Sequence, residues 1–337
     1  MEALHKAIAV IGAGSWGTAL AVLLARNGGP TFLWSREPEH LAQIATTRRN
    51  PQFLPDIEIP ASLRIEPDLG MVLEAAQDIL LVVPSEGFRH TLEQVAAHTD
   101  APQRLAWATK GFEPGSGKLL HEVAAEVLGH DTPCAVLSGP TFAREVAAGL
   151  PTAVTLAAND PAFAEQMVAR LHNERFRVYT TGDIPGVEVG GAVKNALAIA
   201  AGIADGLGFG ANTRAALVTR GLMEIMRLGV ALGGTRETFM GLAGLGDLVL
   251  TCTDNQSRNR RLGLALAQGE TVVDAVRQIG QVVEGIQTVR EVMMVARQRE
   301  IDMPICEQVH AVIHGGVEPL AAVQNLLSRA QKPESYD

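Results

Sequence analysis

The opening of the chain most narrows what it can fold into. The apolar run Ala7-Ile8-Ala9-Val10-Ile11 passes directly into Gly12-Ala13-Gly14-Ser15-Trp16-Gly17, and residues 18–26 continue with helical apolar spacing. A strand, a glycine-rich turn and a helix in this order open a βαβ unit. Gly12 permits the tight turn, Gly14 lets a pyrophosphate approach the backbone, and Gly17 allows close packing of helix on strand. The free amides of the helix N-terminus then face the anion. The loop therefore predicts dinucleotide binding. Such a glycine string alone is a weak signal, and an unliganded turn is the bland alternative; the strand before it and the helix after it give it weight.

The first half continues as short apolar runs alternating with segments of helical period. Strands are expected at 7–11, 31–34, 79–83, 104–108, 135–137, 153–157 and 177–180, and connecting helices at 18–26, 92–98 and 118–128. Short continuous apolar runs suit parallel strands covered on both faces, so this half reads as a Rossmann-like doubly wound α/β sheet. Beyond Gly182-Asp183-Ile184-Pro185 the strand-like runs stop. Segments 187–203, 213–232, 286–298, 305–314 and 319–329 read as helices, with Gly233, Gly315 and Gly316 as terminators. The expectation is a dinucleotide-binding domain over 1–183 and an all-α substrate-binding domain over 184–337.

Composition excludes several function classes. The 337 residues are 47% hydrophobic and 19% charged, as in a folded protein, and the net charge of −9 with no basic tract argues against nucleic acid. Cys134, Cys252 and Cys306 are far apart and form no CxxC, which disfavours a disulfide framework and suits a reducing cytoplasm. The apolar stretch 196–203 is too short to cross a bilayer, so no membrane insertion is expected, and no signal peptide is evident. His310 and His314 can share a helix face, but no third ligand is spaced to join them, so no metal site is expected.

At the end of the second strand an NAD-preferring site usually carries an acidic residue. Here Trp34-Ser35-Arg36 stands instead, with Glu37 one place later. Arg36 suits a 2′-phosphate through a charge-assisted fork, which points to NADP being accepted alongside NAD and preferred. A solvated surface arginine is the alternative.

Four further segments are rich in glycine and polar residues for their apolar surroundings: Ala108-Thr109-Lys110-Gly111, Ser138-Gly139-Pro140-Thr141-Phe142-Ala143, Gly190-Gly191-Ala192-Val193-Lys194-Asn195-Ala196, and Gly241-Leu242-Ala243-Gly244-Leu245-Gly246-Asp247 running on to Asn255-Gln256-Ser257-Arg258-Asn259. Together with the opening loop they resemble the bacterial NAD(P)-dependent glycerol-3-phosphate dehydrogenase family, over residues 7 to about 290. The resemblance implies a reversible hydride transfer that reduces dihydroxyacetone phosphate to sn-glycerol 3-phosphate for glycerophospholipid synthesis. Ala196 stands where the family often has a bulkier aliphatic residue.

The residues can be tested against that chemistry. Ketone reduction needs a positioned proton donor and a group that holds the developing oxyanion. Lys194 sits in an almost wholly apolar helical segment, where desolvation favours the neutral amine and makes it a usable proton carrier near neutrality. The family's proton acceptor in the oxidation direction matches it. Lys110 falls at a carboxyl end of the sheet, where ligands bind in open α/β folds; by resemblance it contacts both cofactor and substrate. A solvated surface lysine is the bland alternative for each.

Asp247 follows two glycines that let the backbone present its carboxylate to Lys194 or to a substrate hydroxyl, or serves as a helix N-cap. Ser257, Arg258 and Asn259 form a polar run suited to the substrate phosphate, or a capped turn that needs no ligand. The resemblance further assigns Gly139 and Thr141 to the substrate, and Ser15, Trp16, Ala143, Arg258, Val282, Glu284 and, more weakly, Phe53 to the cofactor; a loop anchor is the alternative for Phe53. A dehydrogenase of another hydroxy acid, or a nucleotide-sensing protein without turnover, are the competing readings. A homodimer through the helical half is the expected assembly, from its apolar helices.

Overall fold

The computed structural model describes residues 6–98 and 104–330; the outermost ends of both expected domains, 1–5 and 331–337, lie outside the described residues. The opening apolar run is β1 (Ala7–Ile11), buried at every position. It takes the third place in an eight-stranded sheet of order β3-β2-β1-β4-β5-β6-β7-β8. The other strands are β2 (Thr31–Trp34), β3 (Leu63–Ile65), β4 (Ala76–Leu81), β5 (Arg104–Trp107), β6 (Cys134–Ser138), β7 (Thr152–Ala158) and β8 (Phe176–Thr181). Chain order reverses beside β1, whose neighbours are β2 and β4. In open α/β sheets the crevice at such a reversal, outside the carboxyl ends of the strands, is where ligands bind.

Connecting helices are α1 (Ser15–Arg26), α2 (Pro38–Thr47), α3 (Leu69–Ala75), α4 (Phe88–His98), α5 (Leu120–Leu128), α6 (Ala143–Ala148) and α7 (Pro161–Leu171). Local sequence sets their starts: Asp68 and Asp160 cap α3 and α7 by accepting from Met71 N and Phe163 N, and Pro161 fills the first turn of α7. Then follow α8 (Ile184–Gly206), α9 (Ala211–Ala231), α10 (Arg236–Met240), a π-helical turn (Leu242–Gly246), α11 (Asp247–Thr253), α12 (Arg258–Ala267), α13 (Val272–Ile279), α14 (Glu284–Gln298), α15 (Pro304–Gly315) and α16 (Pro319–Leu327). α8 is long and apolar enough to cross a bilayer by length and composition, but its apolar window is wholly buried within the protein, as in a core helix.

Three sequence expectations are corrected. The sheet is not parallel throughout: β7 pairs antiparallel with β6, so β7 and β8 run against the other six strands. An apolar run encodes burial but not direction. β3 is an additional strand; it is three residues long with only Leu63 buried, too short to form a pattern. At the other edge β8 is not covered on both faces, since only Phe176 is buried in it.

The chain forms two compact units, Met1–Ala192 with Gly229–Asp247, and Val193–Leu228 with Leu248–Asp337. In the first, buried charges are paired rather than solitary, as desolvation demands. Asp78 on β4, wholly buried, meets Arg104 at 2.5 Å and Arg170 at 2.8 Å. Glu188 on α8 accepts from the Trp107 indole (3.2 Å) and from the backbone (3.0 Å) and ring (2.6 Å) of His121, fastening that helix to β5 and α5. In the second unit α8 and α12 cross backbone on backbone: a Cβ at Gly202 would lie 2.1 Å from Arg260 O, and one at Gly263 2.1 Å from Ile199 O.

Candidate active site

The glycine loop joins β1 to α1. Gly12 has φ +117°, which favours glycine, and a Cβ there would lie 2.5 Å from Val82 O. A Cβ on Gly17 would lie 1.8 Å from Gly12 O, so strand and helix meet at backbone distance. A Cβ on Gly14 would meet nothing within 4 Å. Gly14 is the N-cap of α1 and offers no side chain to the first-turn amides. Open space, free amides and the positive end of the helix suit a pyrophosphate. Trp16 Nε1 is buried without a hydrogen-bond partner in the same turn. On these observations the loop fits a dinucleotide.

A residue that sequence reasoning missed holds this loop. Asn50, wholly buried, donates to Ala13 O and Thr18 Oγ1, both at 2.8 Å, and Ser15 Oγ donates to Phe53 O at 3.1 Å. Phe53 sets its ring edge-on to His40, with centroids 5.4 Å apart, so it does anchor a loop against the glycine turn. Arg36 is exposed, two residues past the end of β2. Ala143 is the first residue of α6, whose N-cap Phe142 offers no side-chain bond.

Lys110 follows β5. Its Nζ lies 2.6 Å from Asp247 Oδ2, with the lysine side chain 11% exposed and the carboxylate buried. A separation of 137 positions along the chain hid this pairing from the sequence. Asp247 has helical backbone angles, so it is a residue of α11 and not the cap before it. Gly139 follows β6; a Cβ there would be 3.0 Å from Val154 Cα, and Thr141 Oγ1 donates to Gly139 O at 3.2 Å.

In the second unit Lys194 is 6% exposed, and its Nζ donates to Thr251 Oγ1 at 3.0 Å. Thr251 escaped the sequence reading, although it stands four residues after Asp247 on α11, a one-face spacing. Asn195 Oδ1 accepts from Asn259 Nδ2 at 2.9 Å, Asn259 Oδ1 accepts from Gly285 N at 2.9 Å, and Asn195 Nδ2 donates to Glu284 Oε2 at 3.4 Å. Asn259 thus ties α8 to the start of α14. Ser257 caps α12 by accepting from Arg260 N. Arg260 in turn binds Asn255 Oδ1 (3.0 Å), Cys252 O (3.2 Å) and Asp205, pinning the polar loop from beneath. Arg258 and Glu284, each 34% exposed, stand 3.9 Å apart, and Val282 is 55% exposed. His314 Nε2 contacts Ile286 O at 2.9 Å. Among the described residues no group of three or more His, Cys, Asp or Glu gathers as metal ligands would.

Two family models match the chain: the NAD-dependent glycerol-3-phosphate dehydrogenase N-terminus over residues 7–164 and the C-terminus of the same family over 183–324. A glycerol-3-phosphate dehydrogenase [NAD(P)+] of Nitrosococcus oceani is 57% identical over 96% of this chain and 94% of its own. The like-named protein of Stenotrophomonas maltophilia is 56% identical over 100% and 99%. The crystal structure of glycerol-3-phosphate dehydrogenase from Coxiella burnetii superposes with a TM-score of 0.94 at 50% identity, covering 97% of this chain and 100% of that one. With the glycine cradle, the paired Lys110 and Asp247, and the buried Lys194 already in place, the chain belongs to the NAD(P)-dependent glycerol-3-phosphate dehydrogenase family, oxidoreductases acting on a CH–OH group.

Proposed function

We propose that this chain interconverts dihydroxyacetone phosphate and sn-glycerol 3-phosphate, running toward the latter for glycerophospholipid synthesis. Beyond family membership, the observation that carries the reading is an amine buried where a proton must move. Lys194 is 6% exposed, and beside it Val193, Ala196 and Leu197 are wholly buried. When bound, the reduced dinucleotide supplies a hydride to C2 of the ketone. Lys194 gives its proton to the ketone oxygen and, in the oxidation direction, takes it back. Thr251 Oγ1 orients the Lys194 ammonium by occupying one of its donors.

Asp247 fixes Lys110 Nζ, so that a cation is held in place for substrate and cofactor without reorganising during the reaction. Gly139 and Thr141 contact the substrate, and Ser257, Arg258 and Asn259 take its phosphate. Gly12, Gly14, Ser15, Trp16, Gly17, Arg36, Phe53, Lys110, Ala143, Arg258, Val282 and Glu284 form the cofactor set, with NADP or NAD accepted. We assign dinucleotide binding to residues 1–183 and substrate binding to 184–337.

Cys134, Cys252 and Cys306 are buried and joined in no disulfide, which supports a cytoplasmic protein, and the burial of the α8 apolar window supports a protein without membrane insertion. The exposed Leu320 and Leu327 of α16 support a homodimer through the helical half.

The test is NADPH oxidation by the wild-type protein with dihydroxyacetone phosphate and with dihydroxyacetone. Loss of the charge-assisted phosphate bonds predicts a fall in kcat/KM of roughly a hundredfold or more for the phosphate-free ketone. Equal turnover of the two would reject the phosphorylated substrate.

A further inference from the structure

Ser138 is the last residue of β6, at the carboxyl end of a central strand, where open α/β sheets bind their ligands. Its side chain is 4% exposed, yet its hydroxyl has no hydrogen-bond partner. Buried hydroxyls in native proteins are almost always paired, and an orphan requires an account. The surroundings of this one supply it. A side chain at Gly191 would place its Cβ 2.7 Å from Ser138 Oγ and 3.7 Å from Lys110 Cδ. With no side chain at Gly191, the orphan hydroxyl lies directly against the α8 backbone, near the stem of the lysine that Asp247 holds. Gly139 and Thr141, already assigned to the substrate, follow directly in the chain.

We propose that Ser138 is a substrate contact, its hydroxyl donating a hydrogen bond to a carbonyl or hydroxyl oxygen on the carbon chain of the substrate, beside Lys110. The inference rests on the dehydrogenase reading above. There the phosphate belongs to Ser257, Arg258 and Asn259, so the oxygen left for Ser138 is one on the three-carbon skeleton. A serine hydroxyl suits this place because it is short, sits on a rigid strand end and can give one hydrogen to an uncharged oxygen. Burying it without a partner weakens the empty protein, and the bound substrate removes that penalty. Gly191 matters equally, because a Cβ there would collide with the hydroxyl itself.

Ser138→Ala separates this role from a structural one through readouts of opposite sign. Deleting a hydroxyl that has no partner leaves the Tm of the ligand-free protein unchanged or raised. The same change lowers kcat/KM for dihydroxyacetone phosphate about tenfold, the value of one hydrogen bond, and leaves KM for NADPH alone. An unchanged kcat/KM overturns the proposal whatever happens to Tm. So does a fall in kcat/KM that comes with a Tm lowered by several degrees, since the hydroxyl would then be satisfied within the fold. Wild-type protein assayed in parallel keeps the two readings apart: a wild type inactive on this substrate removes the dehydrogenase reading and the Ser138 contact together.

Discussion

In the sheet-based unit, the loop after β1 leaves the first amides of α1 open, and the position of a Gly14 side chain is empty out to 4 Å. In the helical unit, Asn195, Asn259, Glu284 and Gly285 spend their polar atoms on one another, and Arg260 is spent on Asn255, Asp205 and the backbone of Cys252. The first arrangement builds vacancy where a strand must turn into a helix. The second builds a lattice of paired side chains and leaves a ligand the Lys194 amine, Arg258 and the remaining Asn259 amide hydrogen. Perturbing the first should be read in binding, and perturbing the interior of the second in stability.

The largest effect expected from this contrast is at Gly17. Its Cβ would lie 1.8 Å from Gly12 O, so Gly17→Ala must push the helix from the strand and deform the cradle. NADPH binding measured by calorimetry should weaken by roughly a hundredfold or more. Retention of wild-type affinity would mean that the loop is not the mooring point.

Glu224 on α9 tests the other side of the contrast. It is 1% exposed and accepts from Ile305 N (2.6 Å) and Cys306 N (3.1 Å) at the start of α15, and burial pushes its carboxyl up to about 7. An unfolded glutamate titrates near 4.5, so between that pH and about 7 the folded chain holds the extra proton. This contribution to stability is complete at the acid end of the window and is lost as pH rises through about 7. The Tm of the wild type should therefore drop between pH 5.5 and 8 by roughly a few degrees more than that of Glu224→Gln. Parallel curves would remove Glu224 as the titrating group, and a change in NADPH affinity would breach the division between the units.

The smallest effect belongs to Arg36, exposed and therefore screened. Arg36→Ala should weaken NADPH binding about fivefold and leave NADH unaffected, as expected for loss of one exposed phosphate contact. An unchanged preference would return Arg36 to ordinary surface.

How much was legible follows the same division. β1 and β2 matched the sequence reading residue for residue, because buried runs bounded by glycine and proline carry their own limits. Five helices of the second half, α8, α9, α14, α15 and α16, were found from their period, with ends displaced by up to three residues, as at α8, whereas α10 and α13 were not read. The missed features are non-local. Sheet direction at β7 is absent from its apolar run, Lys110 finds Asp247 across 137 residues, and Asn195 finds Asn259 across 64. Asn50 and Glu188 carry no local signal in the sequence, and only burial reveals them as braces. Ser138 stood in a quoted motif without a role, because an orphaned hydroxyl is visible only once every neighbour is placed.

The claim on which the rest depends is that the Lys194 amine moves the proton. It is tested most directly by the turnover of Lys194→Ala with NADPH and dihydroxyacetone phosphate at saturation, alongside NADPH binding to the same variant. The account predicts a loss in kcat of roughly a thousandfold, as for removal of a general acid, with NADPH affinity within about twofold of wild type. Turnover within about tenfold of the wild type would contradict it.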